Sequence, residues 1–183
     1  QGKLISIPYG TIKSTTIPGF HVENHLSDTC LELIKERRID ILINAAAIAG
    51  ASPVEEMAVA DWDQMLRINL RGTFLCCRAV MPAMRRRNWG RIVNIGSSSS
   101  YSGFDKGSIY CTTKHAILGL SRSLSDELKE YNIRVYCISP ASTQTNMAKI
   151  SKDQDYTTFL DPKEVSEFIL HTISYDSETV SYT

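Results

Sequence analysis

The sequence predicts an α/β protein built on a parallel sheet with helices on both of its faces. Three observations carry this reading. Short runs rich in β-branched residues alternate with longer segments of helical spacing. Each short run is apolar throughout, as expected of a strand covered on both sides. Turn residues separate the segments, with no internal repeat and no linker that would divide the chain. A single domain over residues 1–183 is expected.

The opening is the least regular part. Pro8, Gly10, Pro18 and Gly19 punctuate short β-prone pieces, among them residues 4–7. Over residues 26–38, Leu26, Cys30, Leu33 and Ile34 follow helical spacing, with Ser27 and Asp28 near the start. Ile39-Asp40-Ile41-Leu42-Ile43 reads as a buried strand ending at Asn44. Residues 61–87 read as a long helix, with Trp62, Met65, Ile68, Phe74, Leu75 and Met81 as its apolar stripe. Pro82 should end or kink it, and Gly90 should stop it. Arg85, Arg86 and Arg87 oppose the helix dipole favourably.

Residues 91–96 form the second expected strand, followed by a polar loop over 97–107. Residues 108–131 read as a helix with Ile117, Leu118, Leu120, Leu124 and Leu128 inward. Residues 132–138 form the third strand, which ends at Ser139-Pro140. Asp161-Pro162 opens a last helix through Val165, Phe168, Ile169 and Ile173, with proline in a first-turn position. Parallel sheets place their sites at the carboxyl ends of their strands. Asn44, Gly96 and Pro140 should therefore line one crevice.

Composition narrows the partners. The 183 residues are 43% hydrophobic and 22% charged, with zero formal net charge. That is enough chain for a substantial core, and a neutral surface offers nucleic acid no footing. No apolar run approaches the roughly 20 residues that span a bilayer, and no signal peptide is visible. Neither nucleic acid nor membrane is an expected partner. Five cysteines at irregular spacing, Cys76 and Cys77 adjacent, read as reduced core residues. That points to a cytoplasmic location. The four histidines (His21, His25, His115 and His171) are scattered, so no metal site is expected.

Tyr110 and Lys114 stand four apart on a predicted helix and share a face. A phenol ordinarily titrates near 10. An ammonium held close favours the phenolate and pulls it toward working pH. Such a tyrosine can pass a proton to or from a carbinol or carbonyl oxygen. Alone the spacing is weak evidence and reads first as an ordinary surface pair. Ser97, at the end of a buried strand, adds a hydroxyl that could bond the same substrate oxygen. Asn69 sits mid-helix, where asparagine gains nothing from propensity. It reads either as an ordinary amide or as an inward one holding a water that links Lys114 to solvent.

Five ordered segments resemble the short-chain dehydrogenase/reductase family, from about residue 20 to the end. They are Asp40-Ile-Leu-Ile-Asn-Ala-Ala-Ala47, Ile68-Asn-Leu-Arg-Gly-Thr-Phe74, Gly90-Arg-Ile-Val-Asn-Ile-Gly-Ser97, Tyr110-Cys-Thr-Thr-Lys114 and Ile133-Arg-Val-Tyr-Cys-Ile-Ser-Pro-Ala141. The resemblance implies a Rossmann-like doubly wound sheet and an NAD(P)-dependent oxidoreductase moving hydride between NAD or NADP and a small carbonyl or alcohol. It implies Tyr110 as general acid/base, Lys114 tuning it and holding the nicotinamide ribose, Ser97 polarising the substrate, and Asn69 placing the relay water. Cofactor contacts are implied for Asn44, Ala45, Ala46, Pro140, Ala141, Thr143 and Thr145. The substrate pocket would be shaped by Tyr101, Phe104, Met147 and Tyr156. A homodimer or homotetramer through the two long helices is implied as well.

The pattern departs in three places. Asn44-Ala45-Ala46-Ala47 stands where the family has Asn-Asn-Ala-Gly, and Pro140-Ala141 replaces Pro-Gly. Ala47 disfavours a positive φ. The Gly-rich phosphate turn is absent, so the first βα(β) unit is expected to be missing, which would leave unpaired sheet edges. Gln1 suggests a piece of a longer protein. The alternative is a truncated, catalytically inactive family member acting as a binding or assembly module.

Overall fold

The structure, a computed structural model, describes residues 4–8, 38–148 and 155–174. The expected helix over 26–38, all but its last residue, lies outside the described residues, as do His21 and His25.

Four strands form one parallel sheet in the order β1 (Leu4–Pro8), β2 (Ile41–Ala45), β3 (Gly90–Ile95) and β4 (Ile133–Ile138). The register aligns Leu4 with Ile41, Ile41 with Arg91, and Ile92 with Val135. β2 therefore does not present the open edge expected of an incomplete sheet, because β1 pairs along it. β2 also begins two residues later than its apolar run suggests. Asp40 is held by Arg38 at 2.9 Å, and Arg87 approaches it at 3.8 Å, at the sheet's amino end.

Both faces of the sheet are covered. Leu42, Ile92 and Val135 meet Cys76, Cys77, Val80 and Met84 of α2 (Gly72–Arg87) and Leu124 and Leu128 of α3 (Ser108–Leu128). Side chains one residue along, Ile43, Val93, Tyr136 and Ile138, pack on the opposite side. There they meet Val165, Ile169 and Ile173 of α4 (Pro162–Ser174). Period-two alternation in two-sided apolar strands thus serves two helix layers at once. On α4, Phe168 and Leu170 point outward instead.

The long helix of the sequence reading begins as α1 (Val59–Met65) and continues into α2 through a π-helical stretch, Leu66–Arg71. Pro82 neither ends it nor stops it early, and the helix runs on to Arg87. Pro82 and Arg78, whose carbonyl loses its helical partner, are both on the exposed side, where water can replace the bond. The stop is Asn88, not Gly90. Asn88 adopts φ 52°, and its N–H closes on Arg85 and Met84. Gly90 instead opens β3, where a Cβ would lie 2.4 Å from Met84 Sδ.

Candidate active site

The carboxyl ends of β2, β3 and β4 open on one edge, as parallel pairing requires. Their exit loops are tied together. Gly96 N–H donates to Ile138 O at 2.7 Å, and Ser98 N–H to Pro140 O at 3.0 Å. Ser97 leaves β3 in extended conformation and caps the short turn Ser98–Ser100, its oxygen accepting from Ser99 N–H at 3.1 Å. That leaves the hydroxyl proton to point elsewhere, and the Ser97 side chain favours the anion of the Tyr110 phenol.

Tyr110 and Lys114 lie on α3 one turn apart. Lys114 is only 4% exposed, and its Nζ donates to Ile95 O at 2.9 Å. It stands 5.6 Å from the centre of the Tyr110 ring. Burial disfavours its charge and brings the ammonium down to about 8, against 10.5 in water. Burial also acts on Tyr110, pushing the phenol up, with the Ser97 hydrogen bond opposing. In this geometry burial outweighs any lowering of the phenol by Lys114, and the net shift is upward. The ammonium is directed at a backbone carbonyl, and loss of water dominates both groups.

Asn69 is buried in the π-helical stretch. Such stretches rotate one side chain out of helical register and are frequent at functional sites. The Asn69 amide clamps the loop after β2: Ile48 N–H donates to Oδ1 at 2.8 Å, and Nδ2 donates to Ile48 O at 2.9 Å. Nδ2 also reaches Thr113 Oγ1 at 3.2 Å, and Thr113 donates to Tyr110 O at 2.8 Å. Asn69 therefore faces inward, with both amide donors bonded to protein.

Asn44 also turns into the protein. Its Nδ2 donates to Asn94 Oδ1 at 2.8 Å, Asn94 Nδ2 to Ser121 Oγ at 2.9 Å, and Ser121 to Ile117 O at 2.7 Å. This buried chain fastens the ends of β2 and β3 to α3 just past Lys114. These bonds commit the Asn44 amide nitrogen to the protein interior.

The sequence reading missed Thr113, Asn94 and Ser121. A signal existed: Thr113, Ile117, Ser121, Leu124 and Leu128 share one helix face, so two polar residues interrupt the inward stripe. Asn94 similarly interrupts an apolar strand. Buried polar atoms at such places need partners.

Ala47 and Ala141 cause no backbone strain. The non-glycine residues with positive φ among those described are Asn88, Lys106 and Asn132. Beyond Pro140 the chain is zipped to a second segment: Gln144 N–H donates to Leu160 O, and Leu160 N–H to Ser142 O, both at 2.9 Å. Thr143 bridges to Leu160 and donates to Ala141 O, while Thr145 N–H donates to Thr143 O. Ala45 closes β2 and this turn follows β4, both on the carboxyl side of the sheet. Of the aromatic residues expected near the pocket, Phe104 packs against Tyr110, whereas Tyr156 packs against Phe159.

A parallel sheet between two helix layers, with a serine, a tyrosine and a buried lysine at its carboxyl edge, defines a Rossmann-like α/β protein. The short chain dehydrogenase family model matches residues 23–155. The chain belongs to that family.

The D-threitol dehydrogenase of Mycolicibacterium smegmatis is 41% identical over 110 residues, 60% of this chain and 42% of that protein. The 3-oxoacyl acyl-carrier-protein reductase of Aquifex aeolicus is 34% identical over 153 residues, 79% of this chain and 60% of that one. A Brucella melitensis 3-oxoacyl acyl-carrier-protein reductase solved with bound NAD is 30% identical, with a TM-score of 0.74. Its match covers 84% of this chain and 63% of the other. A Burkholderia cenocepacia gluconate 5-dehydrogenase in complex with NADP and tartrate gives a TM-score of 0.65 at 28% identity, covering 69% and 50%. The matches thus span 42% to 63% of the lengths of these relatives. Among the described residues, no helix is long and apolar enough to cross a membrane.

Proposed function

We propose that this chain carries the catalytic half of an NAD(P)-dependent oxidoreductase acting on a small carbonyl or alcohol. The observation that carries the reading is the meeting of Ser97, the Tyr110 phenol and the buried Lys114 ammonium, whose Nζ stands 5.6 Å from the centre of the Tyr110 ring. Membership in a dehydrogenase family supports it.

The crevice chemistry fits the nicotinamide end of a dinucleotide. An ammonium that is 4% exposed needs several acceptors. Ile95 O takes one of its three N–H groups, and ribose hydroxyls would take others. Backbone at Asn44, Ala45 and Ala46, and the turn through Pro140, Ala141, Thr143 and Thr145, would border the rest. When bound, a nicotinamide supplies the hydride or accepts it.

In the reducing direction, Ser97 donates to the carbonyl oxygen and polarises it. Tyr110 gives its proton to that oxygen as the alcohol forms, leaving a phenolate beside Lys114. The ammonium stabilises this anion. The raised phenol keeps the proton on Tyr110 until it is needed. Asn69 is a positioning residue: it fixes the Ile48 loop and, through Thr113, the first turn of α3. An inward relay water near Lys114 would return the proton.

A shallow groove on the outer helical surface, lined by Leu66, Leu70, Phe74 and Leu120 together with Asp63, Arg67 and Arg71, supports pairing of two copies through these helices. Four free cysteines among the described residues suit a reducing, cytoplasmic setting.

The test is Tyr110→Phe in the full-length protein. Carbonyl reduction should fall by on the order of a hundredfold or more, with cofactor binding retained. Undiminished turnover sinks the reading. The competing inactive-module reading predicts no thermal shift with NADH or NADPH, so a clear shift rejects it.

A further inference from the structure

We infer that Phe104 is a specificity-determining wall of the pocket, and that the substrate carries a flat apolar substituent beside its reacting carbon. This rests on the oxidoreductase reading and names its substrate class.

The Phe104 ring lies 6.3 Å from the Tyr110 ring at an angle of 57°, yet remains 51% exposed. It is held there by built geometry. Gly107 N–H donates back to Phe104 O at 3.1 Å, closing a tight turn with Lys106 at φ 60°. Lys106 O in turn accepts from Ser52 N–H at 2.9 Å, which ties the turn to the loop across the crevice.

Gly107 is informative because its own backbone, φ −90° and ψ 14°, does not require glycine. The ring does. A Cβ at 107 would stand 2.5 Å from two Phe104 ring carbons and 2.6 Å from a third. The turn therefore admits the phenyl group right up to the backbone of the tyrosine helix.

The surroundings match an apolar guest. Residues 46–54, which include the facing loop, carry no charge. Asp105, 90% exposed on its side chain, and Lys106, 55% exposed, pair with each other at 3.9 Å on the rim. A half-exposed phenyl beside a general acid gains when a flat apolar group covers it. A polyol could not exploit that surface, since it would strip water from the ring and its own hydroxyls together.

The experiment uses the full-length protein and two dicarbonyls, diacetyl and acetylbenzoyl, the latter with one methyl replaced by phenyl. In the wild type, kcat/KM should favour acetylbenzoyl. Phe104→Ala should lower the acetylbenzoyl-to-diacetyl ratio about five- to tenfold, the worth of one aromatic contact. Gly107→Ala, which displaces the ring without removing it, should lower the ratio in the same direction. Saturation-transfer NMR without cofactor gives a second readout: the phenyl protons of acetylbenzoyl should be saturated by the wild type and much less by Phe104→Ala. An unchanged ratio in both variants, or a wild-type preference for threitol over an aryl alcohol, overturns the inference while leaving the oxidoreductase reading intact. Absence of turnover on every carbonyl with either cofactor defeats that reading, and this inference with it.

Discussion

Replacing Lys114 by methionine tests the buried ammonium directly. Lys114 titrates near 8 in the folded chain and near 10.5 when exposed. The unfolded chain therefore binds more protons between those values, and stability gained from this site rises with pH across the window. Below about 8 both forms are charged, and the folded state bears the full cost of the buried charge. At 1.36 kcal/mol per pH unit, the gap amounts to about 3 kcal/mol. By pH 9.5 the remaining cost is about 1.4 kcal/mol, so roughly 2 kcal/mol should be recovered from pH 7. Lys114→Met has no such term, although it orphans the Ile95 carbonyl by an amount that does not vary with pH. The assay is urea denaturation of both proteins at pH 7 and 9.5. Wild type should gain about 2 kcal/mol on the variant between the two pH values. A pH-independent difference would refute the argument, because Lys114 would then titrate as an exposed lysine.

Thr113→Val keeps the shape of the side chain but removes the acceptor for Asn69 Nδ2 and the donor to Tyr110 O. It should cost about 1–3 kcal/mol in stability and lower kcat more than it raises KM, with Thr113→Ser restoring both; an unaffected kcat argues against positioning through this link. Cys77, 1% exposed and pushed up to about 12 by burial, should resist a thiol reagent in the folded protein and react only on unfolding. Rapid labelling under native conditions would contradict the buried packing around Asn44 and Asn94.

Much of the layout was legible from local pattern. The three apolar strands and the helices over 108–131 and after Pro162 fall within about three residues of their observed bounds, because two-sided burial and helical spacing are written in neighbouring residues. The boundary errors share a cause: Asp40 is drawn aside by Arg38 and Arg87, and Asn88 ends its helix by adopting a left-handed conformation that the following Gly90 seemed better placed to supply. Pro82 failed as a breaker because it faces solvent.

The site divides in the same way. Residue type and spacing, read together with the family pattern, marked Tyr110, Lys114, Ser97 and Asn69, since these lie along the chain. Only the tertiary structure decided that the Asn69 amide clamps Ile48, that Asn44 turns inward to Asn94, and that Thr113 joins Asn69 to the tyrosine helix. Hydrogen-bond direction depends on which buried polar atoms meet across elements, and no local pattern encodes that. The same holds for charge. The sequence suggested an ammonium pulling a phenol down; the fold took both groups out of water, and desolvation outweighed their attraction.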